Sequence, residues 1–326
     1  MKIIIIRTLG GQGIGYGHFY RCIALANAIM MNNSNYISII FIVNEELEKL
    51  METTEYEFFI SDNLDEDLNI IDLLKVNLFI FDSYLGNDKY LLNIKEKTKL
   101  MLIDDNNDIY DLSIPDILYN GNIHAEKLRY MEVEGQLRLL GTRYLIMKEE
   151  YWNNDMDKKL KKDGILVTTG GTDEYEIALS ILKELINLDF NIKLIIGPGF
   201  KYDYIRKIER MKTNNVELIY KPSSLKPYIK SSQVVITASG STVYEVLSQR
   251  IVPITFSMAN NQDLICKELR DLGILYLGKY PNIEFSQLKD YLGPLQKDYK
   301  FDKRIFDMID GKGAKIVAEK ILQIVQ

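Results

Sequence analysis

Short apolar runs alternate with helical patterns along the whole chain, and this alternation constrains the fold more than any single motif. Runs with no polar face must be covered on both sides, so the segments between them read as helices crossing over a parallel sheet. In the first half the runs fall at 2–8, 36–43, 56–60, 77–82, 99–104, 117–120 and 137–141. Helical patterns at 18–32, 45–52, 65–75, 87–97 and 124–132 separate them. A second series begins at 164, with strands at 164–169, 192–196, 216–220, 234–237, 252–255 and 274–277. Its helices are expected at 174–188, 203–212, 224–231, 241–249, 261–272 and 284–292. From 302 to 326 the pattern reads as two helices broken near Gly311-Lys312-Gly313.

Residues 151–163 are charged, carry no strand signal and read as a linker. The expected organisation is therefore a Rossmann-like unit over 1–150, that linker, and a second Rossmann-like unit over 164–326. A length of 326 residues suits two domains of about 150 residues each. Two such units leave a cleft between the carboxyl edges of their sheets, where ligands of open α/β sheets bind. This is the GT-B arrangement of sugar-nucleotide enzymes.

Composition narrows the partners. With 47% hydrophobic and 26% charged residues the chain has the balance of a folded soluble protein. Its net charge of −6 argues against nucleic acid or an anionic membrane surface as the main partner. A pocket lined by backbone dipoles still accepts phosphate. Cys22 and Cys266 lie in apolar helical patterns and read as buried thiols, and no Cys/His group has metal-ligand spacing. Four isoleucines near the N-terminus end at Arg7, too short for a signal-peptide core, and no run reaches the ~18 apolar residues of a membrane span. A cytoplasmic protein without stable membrane insertion is expected.

The first strand runs into a loop, Thr8 to Gly17, that carries five glycines and delivers His18 to the start of a helix. Gly15 and Gly17 satisfy a dinucleotide fingerprint loosely, but the second strand ends Val43-Asn44 without its acidic residue. A helix N-terminus favours neutral imidazole, which can take a proton from water. His18 thus reads as a general base, or as a residue that caps the helix or lines a wall.

In the second unit, Ser239-Gly240-Ser241-Thr242 follows a strand and opens a helix, with Glu245 one turn further on. These residues suit either a well-capped βα turn or a diphosphate held on free N–H groups, with Glu245 reaching a ribose. Gly170-Gly171-Thr172-Asp173 makes a similar turn after that unit's first strand. Asp82-Ser83-Tyr84 and Asp104-Asp105 end two strands of the first unit, placed to orient His18, bind sugar hydroxyls or cap helices. Asn260-Asn261-Gln262 opens another helix, its amides within reach of sugar or phosphate groups. His124 reads as a surface residue.

Taken together, Gly15-x-Gly17-His18-x-x-Arg21-Cys22, Asp82-Ser83-Tyr84, Asp104-Asp105, Gly170-Gly171-Thr172-Asp173, Ala238-Ser239-Gly240-Ser241-Thr242-x-x-Glu245 and Asn261-Gln262 resemble one family in their order and content. It is that of the UDP-2,4-diacetamido-2,4,6-trideoxy-β-L-altropyranose hydrolases of pseudaminic acid biosynthesis, whose pattern the SpsG-type spore coat polysaccharide biosynthesis proteins share. The resemblance spans nearly the whole chain. It implies a GT-B fold and hydrolysis of a UDP-linked sugar without metal or other cofactor. His18 would activate the water, with Tyr84 and Asn261 near the diphosphate and sugar. Gly15, Gly17 and Arg21 in the first unit, and Gly170, Gly171, Ser239, Gly240, Ser241, Thr242, Glu245 and Gln262 in the second, would bind the substrate. The chain departs from the family at Lys148, where arginine is frequent, and at Tyr244, where tryptophan is. Lysine lacks arginine's bidentate fork. Two other readings stand beside this one: a glycosyltransferase in which His18 deprotonates an acceptor hydroxyl, and a non-catalytic nucleotide-sugar-binding protein.

Overall fold

The computed structural model describes residues 1–11, 13–31, 36–152, 162–295 and 299–325. They form two compact units, one of Met1–Trp152 with Gly311–Gln326 and one of Asn153–Asp310. Most of the expected linker lies outside the described residues, and its first two residues, Tyr151 and Trp152, are buried in the first unit.

The first unit holds β1 (Lys2–Thr8), β2 (Ile37–Val43), β3 (Glu57–Ile60), β4 (Leu78–Asp82), β5 (Lys99–Ile103), β6 (Ile117–Asn120) and β7 (Leu137–Leu140). All pair in parallel, in the order β3-β2-β1-β4-β5-β6-β7. Ile4, Ile5 and Ile6 of β1 are wholly buried, as a central strand covered on both faces requires. The intervening helices are α1 (Gly17–Met30), α2 (Glu48–Met51), α3 (Leu64–Leu74) and α4 (Asp88–Lys97). Asn63 and Asn87 cap α3 and α4 by accepting from backbone amides in the first turn. The helix expected at 124–132 is a single turn, Ala125–Lys127. Beyond it the chain extends and Tyr130 turns inward to donate to Asp104.

The second unit holds β8 (Ile165–Thr168), β9 (Ile192–Ile196), β10 (Val216–Tyr220), β11 (Val234–Ala238), β12 (Val252–Ser257) and β13 (Leu275–Lys279). These are again parallel, in the order β10-β9-β8-β11-β12-β13. Its helices are α5 (Ile177–Leu185), α6 (Tyr202–Met211), α7 (Lys226–Ser231), α8 (Ser241–Ser248), α9 (Asp263–Asp271), α10 (Leu288–Leu295) and α11 (Ile305–Met308). Both sheets reverse direction beside their first strand, between β1 and β4 and between β8 and β11. Such a reversal opens the crevice where ligands of doubly wound sheets bind.

One expected boundary is corrected. The last helix, α12 (Gly313–Val325), belongs to the first unit and not to a domain running 164–326. Ala314, Val317, Ala318, Ile321 and Val325 form its apolar stripe and share a core with Ala24, Leu25, Ala28 and Ile29 of α1. Gly313 lets the start of α12 lie against the chain at Tyr144–Leu145, because a β-carbon there would fall 2.5 Å from the Leu145 amide nitrogen. Among the described residues, no helix is long and apolar enough to cross a membrane.

Ile321→Ala is expected to destabilise the first unit by about 2–5 kcal/mol, the usual cost of emptying a buried isoleucine site. Urea unfolding followed by tryptophan fluorescence reads this directly, because Trp152 lies in the same core.

Candidate functional site

In the first unit the chemistry gathers where the sheet reverses. Thr8 and Asp82 are paired at the ends of β1 and β4. The chain leaves Thr8 through a glycine loop closed by reciprocal backbone bonds between Gly11 and Gly15, at 3.0 and 2.8 Å. Gly15 has φ +82°, a conformation that an L side chain adopts only with strain. Asn44, at the end of β2, fixes the loop from behind by bonding both the amide and the carbonyl of Gly10. The loop ends at Gly17, and α1 begins with no side-chain cap.

His18 is 7% exposed, and its Nδ1 lies 2.7 Å from Asp82 Oδ1. Arg21, one turn along α1, grips Asp82 with Nε and Nη2, each at 2.6 Å. It grips Asp105 with Nη1 at 2.8 Å and Nη2 at 3.1 Å. Arg21 Nη2 also lies 2.9 Å from His18 Nδ1. Both Nη2 protons already serve the two carboxylates, so the proton between His18 and Asp82 sits on Nδ1. This assignment leaves Nε2 of a neutral ring unprotonated, and both hydrogen bonds of the ring to described residues are made by Nδ1.

Tyr84 packs edge-on against the His18 ring at 4.9 Å and donates to Asp105 Oδ2 at 2.9 Å. Cys22 donates to Asp82 Oδ2 at 3.3 Å. Burial alone would raise both aspartates, but the Arg21 guanidinium outweighs it. Asp82 is held well below the usual carboxylate range and Asp105 at about 2. Burial and the neighbouring Asp105 push the Tyr84 phenol far up, so it remains a neutral donor. Burial and Asp82 likewise keep Cys22 a thiol.

The two neighbouring aspartates have separate tasks. Asp104 turns away from the cluster and accepts from Tyr130 at 2.6 Å and from the Asn107 amide at 2.9 Å. His124 is buried, correcting the surface reading, and its Nε2 lies 2.8 Å from the Asp105 carbonyl. Asn122 donates to Asp105 Oδ1 at 3.0 Å, and Asn120 to the Asp105 carbonyl at 2.9 Å. Sequence reasoning missed Asn44, Asn120 and Asn122. Their common signal is an amide side chain at or just beyond a strand's carboxyl end. Lys148, at the frequent arginine position, lies 5.0 Å from the centre of the Tyr20 ring.

The second unit repeats the geometry with different chemistry. Thr168 of β8 pairs with Thr237 of β11, and both strands run into small-residue turns. Gly170 has φ +100°, and a β-carbon there would meet nothing within 4 Å. Gly197 packs beneath this turn, so closely that its β-carbon would fall 2.6 Å from the Gly170 carbonyl oxygen. The following Asp173 is committed to structure, accepting from the Ile177 and Ala178 amides and from Tyr204.

Across the reversal, Gly240 precedes α8 with no side-chain cap; the Val243 amide bonds the Gly240 carbonyl at 3.1 Å, and the Ser241 and Thr242 amides lack an intrahelical acceptor. Ser239 is completely buried, and its hydroxyl has no hydrogen-bond partner among the described residues. Ser241 is exposed, Thr242 half-buried and Glu245 buried one turn into α8. Gln262 accepts from the Met258 amide, and its Nε2 would lie 3.8 Å from a Gly240 β-carbon. Asn261 is exposed on the turn Asn260–Gln262. The structure thus brings Gly15, Gly17, His18, Arg21 and Tyr84 together in one unit. Gly170, Gly171, Ser239, Gly240, Ser241, Thr242, Glu245, Asn261 and Gln262 lie on the other.

No family model matches the chain. It is 27% identical to the uncharacterized protein MJ1062 of Methanocaldococcus jannaschii, over 99% of this chain and 66% of that protein. The chain thus spans about two thirds of that relative's length. It is 23% identical to the UDP-2,4-diacetamido-2,4,6-trideoxy-β-L-altropyranose hydrolase of Campylobacter jejuni, over 75% of this chain and 87% of that one. Among solved structures it superposes on Acinetobacter baumannii MurG with a TM-score of 0.70 at 12% identity, covering 99% and 100% of the two chains. The spinosyn forosaminyltransferase SpnP gives 0.71 at 12%, covering 99% of each. Arabidopsis thaliana UGT89C1 complexed with UDP gives 0.66 at 9%, covering 100% of each. The chain has the GT-B fold of these glycosyltransferases.

The Asp105 shift fixes an acid dependence. Its folded value of about 2 lies below the ~3.9 of an unfolded aspartate. Its stabilising contribution is therefore complete above about pH 4 and is lost as pH falls toward 2. Urea unfolding should show Asp105→Asn less stable than wild type by a constant margin at neutral pH, narrowing below about pH 4. A margin that does not narrow contradicts the shift.

Proposed function

We propose that the protein hydrolyses a UDP-linked 2,4-diacetamido-2,4,6-trideoxy sugar to UDP and the free sugar, in nonulosonic acid or related surface-polysaccharide synthesis. The observation that carries this reading is His18, held by Asp82 through Nδ1 with Nε2 left unprotonated at the β1–β4 reversal. In this mechanism Nε2 takes a proton from water as the water oxygen bonds to the anomeric carbon. The bond from that carbon to the diphosphate oxygen breaks, and UDP leaves with the bonding pair. Asp82 stabilises the imidazolium so formed without itself being protonated, the task of the aspartate in a Ser-His-Asp triad.

The second unit carries groups suited to a diphosphate leaving group. The Ser241 and Thr242 amides at the start of α8 and the positive end of its dipole suit a diphosphate, whose charge grows as the bond breaks. The similarity to the Campylobacter jejuni hydrolase supports the substrate and the reaction. The fold shared with glycosyltransferases supports a second reading, in which His18 deprotonates an acceptor hydroxyl in place of water.

Incubation with UDP-2,4-diacetamido-2,4,6-trideoxy-β-L-altropyranose, without acceptor or added metal, separates the two by the release of free UDP. Hydrolysis predicts steady release, abolished in His18→Ala. Asp82→Asn should cost roughly 10³–10⁴-fold, because an amide donating to Nδ1 forces the proton onto Nε2. Release only when an acceptor is added supports transfer. Full-rate release by His18→Ala refutes the base assignment.

A further inference from the structure

Tyr175 and Tyr280 stand apart from the machinery described so far. Their rings stack with centroids 3.9 Å apart and planes 16° from parallel, although more than a hundred residues separate them in sequence. They are 45% and 39% exposed, so the pair belongs to no core. Tyr175 lies between the Gly170-Gly171 turn and α5, and Tyr280 directly follows β13. Both therefore lie at the carboxyl edge of the second sheet, the edge on which α8 begins.

A run of contacts links the pair to that helix start. Next to Tyr280, Lys279 donates to Asn260 Oδ1 at 2.8 Å and to Asp263 Oδ2 at 2.5 Å. Asn260 opens the turn that carries Asn261 and Gln262, and the Gln262 amide lies against Gly240. Going from Gly240 toward β13, the amide side chains come first and the stacked tyrosine pair next. Lys279 is the cation at this corner, and Asp263 neutralises it. Flat apolar rings beside amide donors and acceptors, with the exposed Glu174 next to Tyr175, suit an uncharged sugar that has an apolar face and acetamido substituents. They do not suit an acidic sugar or a further phosphate.

We infer that Tyr175 and Tyr280 are the platform on which the sugar ring of the substrate rests, and that they select an uncharged acetamido sugar. The inference depends on the UDP-sugar reading above. Calorimetric titration of the His18→Ala protein, which binds without turnover, compares UDP with UDP-2,4-diacetamido-2,4,6-trideoxy-β-L-altropyranose. Adding Tyr175→Ala and Tyr280→Ala should weaken binding of the sugar nucleotide about tenfold and leave UDP affinity within about twofold. Phenylalanine at both positions should restore the sugar nucleotide. Equal weakening of both ligands, no weakening, or a parent protein that binds UDP but not the sugar nucleotide overturns the platform. A parent protein that binds neither ligand overturns the UDP-sugar reading itself, and the platform with it.

Discussion

The Asp82 carboxylate accepts from His18, from two nitrogens of Arg21 and from the Cys22 thiol, and the order of the first unit's site follows from these bonds. A buried carboxylate is costly unless its charge and lone pairs are answered. Arg21 answers it and ties it to Asp105, which in turn holds Tyr84 and Asn122. Two carboxylates and one guanidinium leave one negative charge, and a proton arriving on His18 cancels it. The cluster therefore fixes the ring's orientation and tautomer. The β1–β4 reversal makes this possible, since it sets Asp82 beside the strand whose loop delivers His18.

The second unit uses the same topology with little fixed charge. Its reversal offers a helix start without a side-chain cap and a glycine turn seated on Gly197, while Asp173 is spent capping α5. One unit thus presents an oriented base and the other an array of donors. Each is stabilised by its own sheet, so an acidic chain can offer a local site for an anion.

Much of this was legible in the sequence because buried parallel strands announce themselves as unbroken apolar runs. Among the described residues, all thirteen strands of the two sheets lie at expected positions. The glycine loops, His18 and the Ser239–Thr242 turn were legible for the same reason, since each directly follows such a run. The position of α12 was not. Its stripe from Ala314 to Val325 shows that one face is buried, but periodicity carries no information about which surface covers it. Nor could the sequence tell Asp104 from Asp105. Adjacent residues beyond a strand point in opposite directions, and only the positions of Arg21 and Tyr130 decide which carboxylate faces the histidine. His124 and Asn44 were passed over because their partners are backbone atoms 19 and 34 residues away.

The account stands or falls on where the His18 proton lies. Nitrogen-15 NMR of the imidazole rings measures this at neutral pH, and with two histidines in the chain His124→Gln assigns the signals. The prediction is that the neutral His18 ring carries its proton on Nδ1, with Nε2 at the shift of an unprotonated nitrogen, and that this pattern is lost in Asp82→Asn. A His18 ring protonated on Nε2 in the wild-type protein would contradict it.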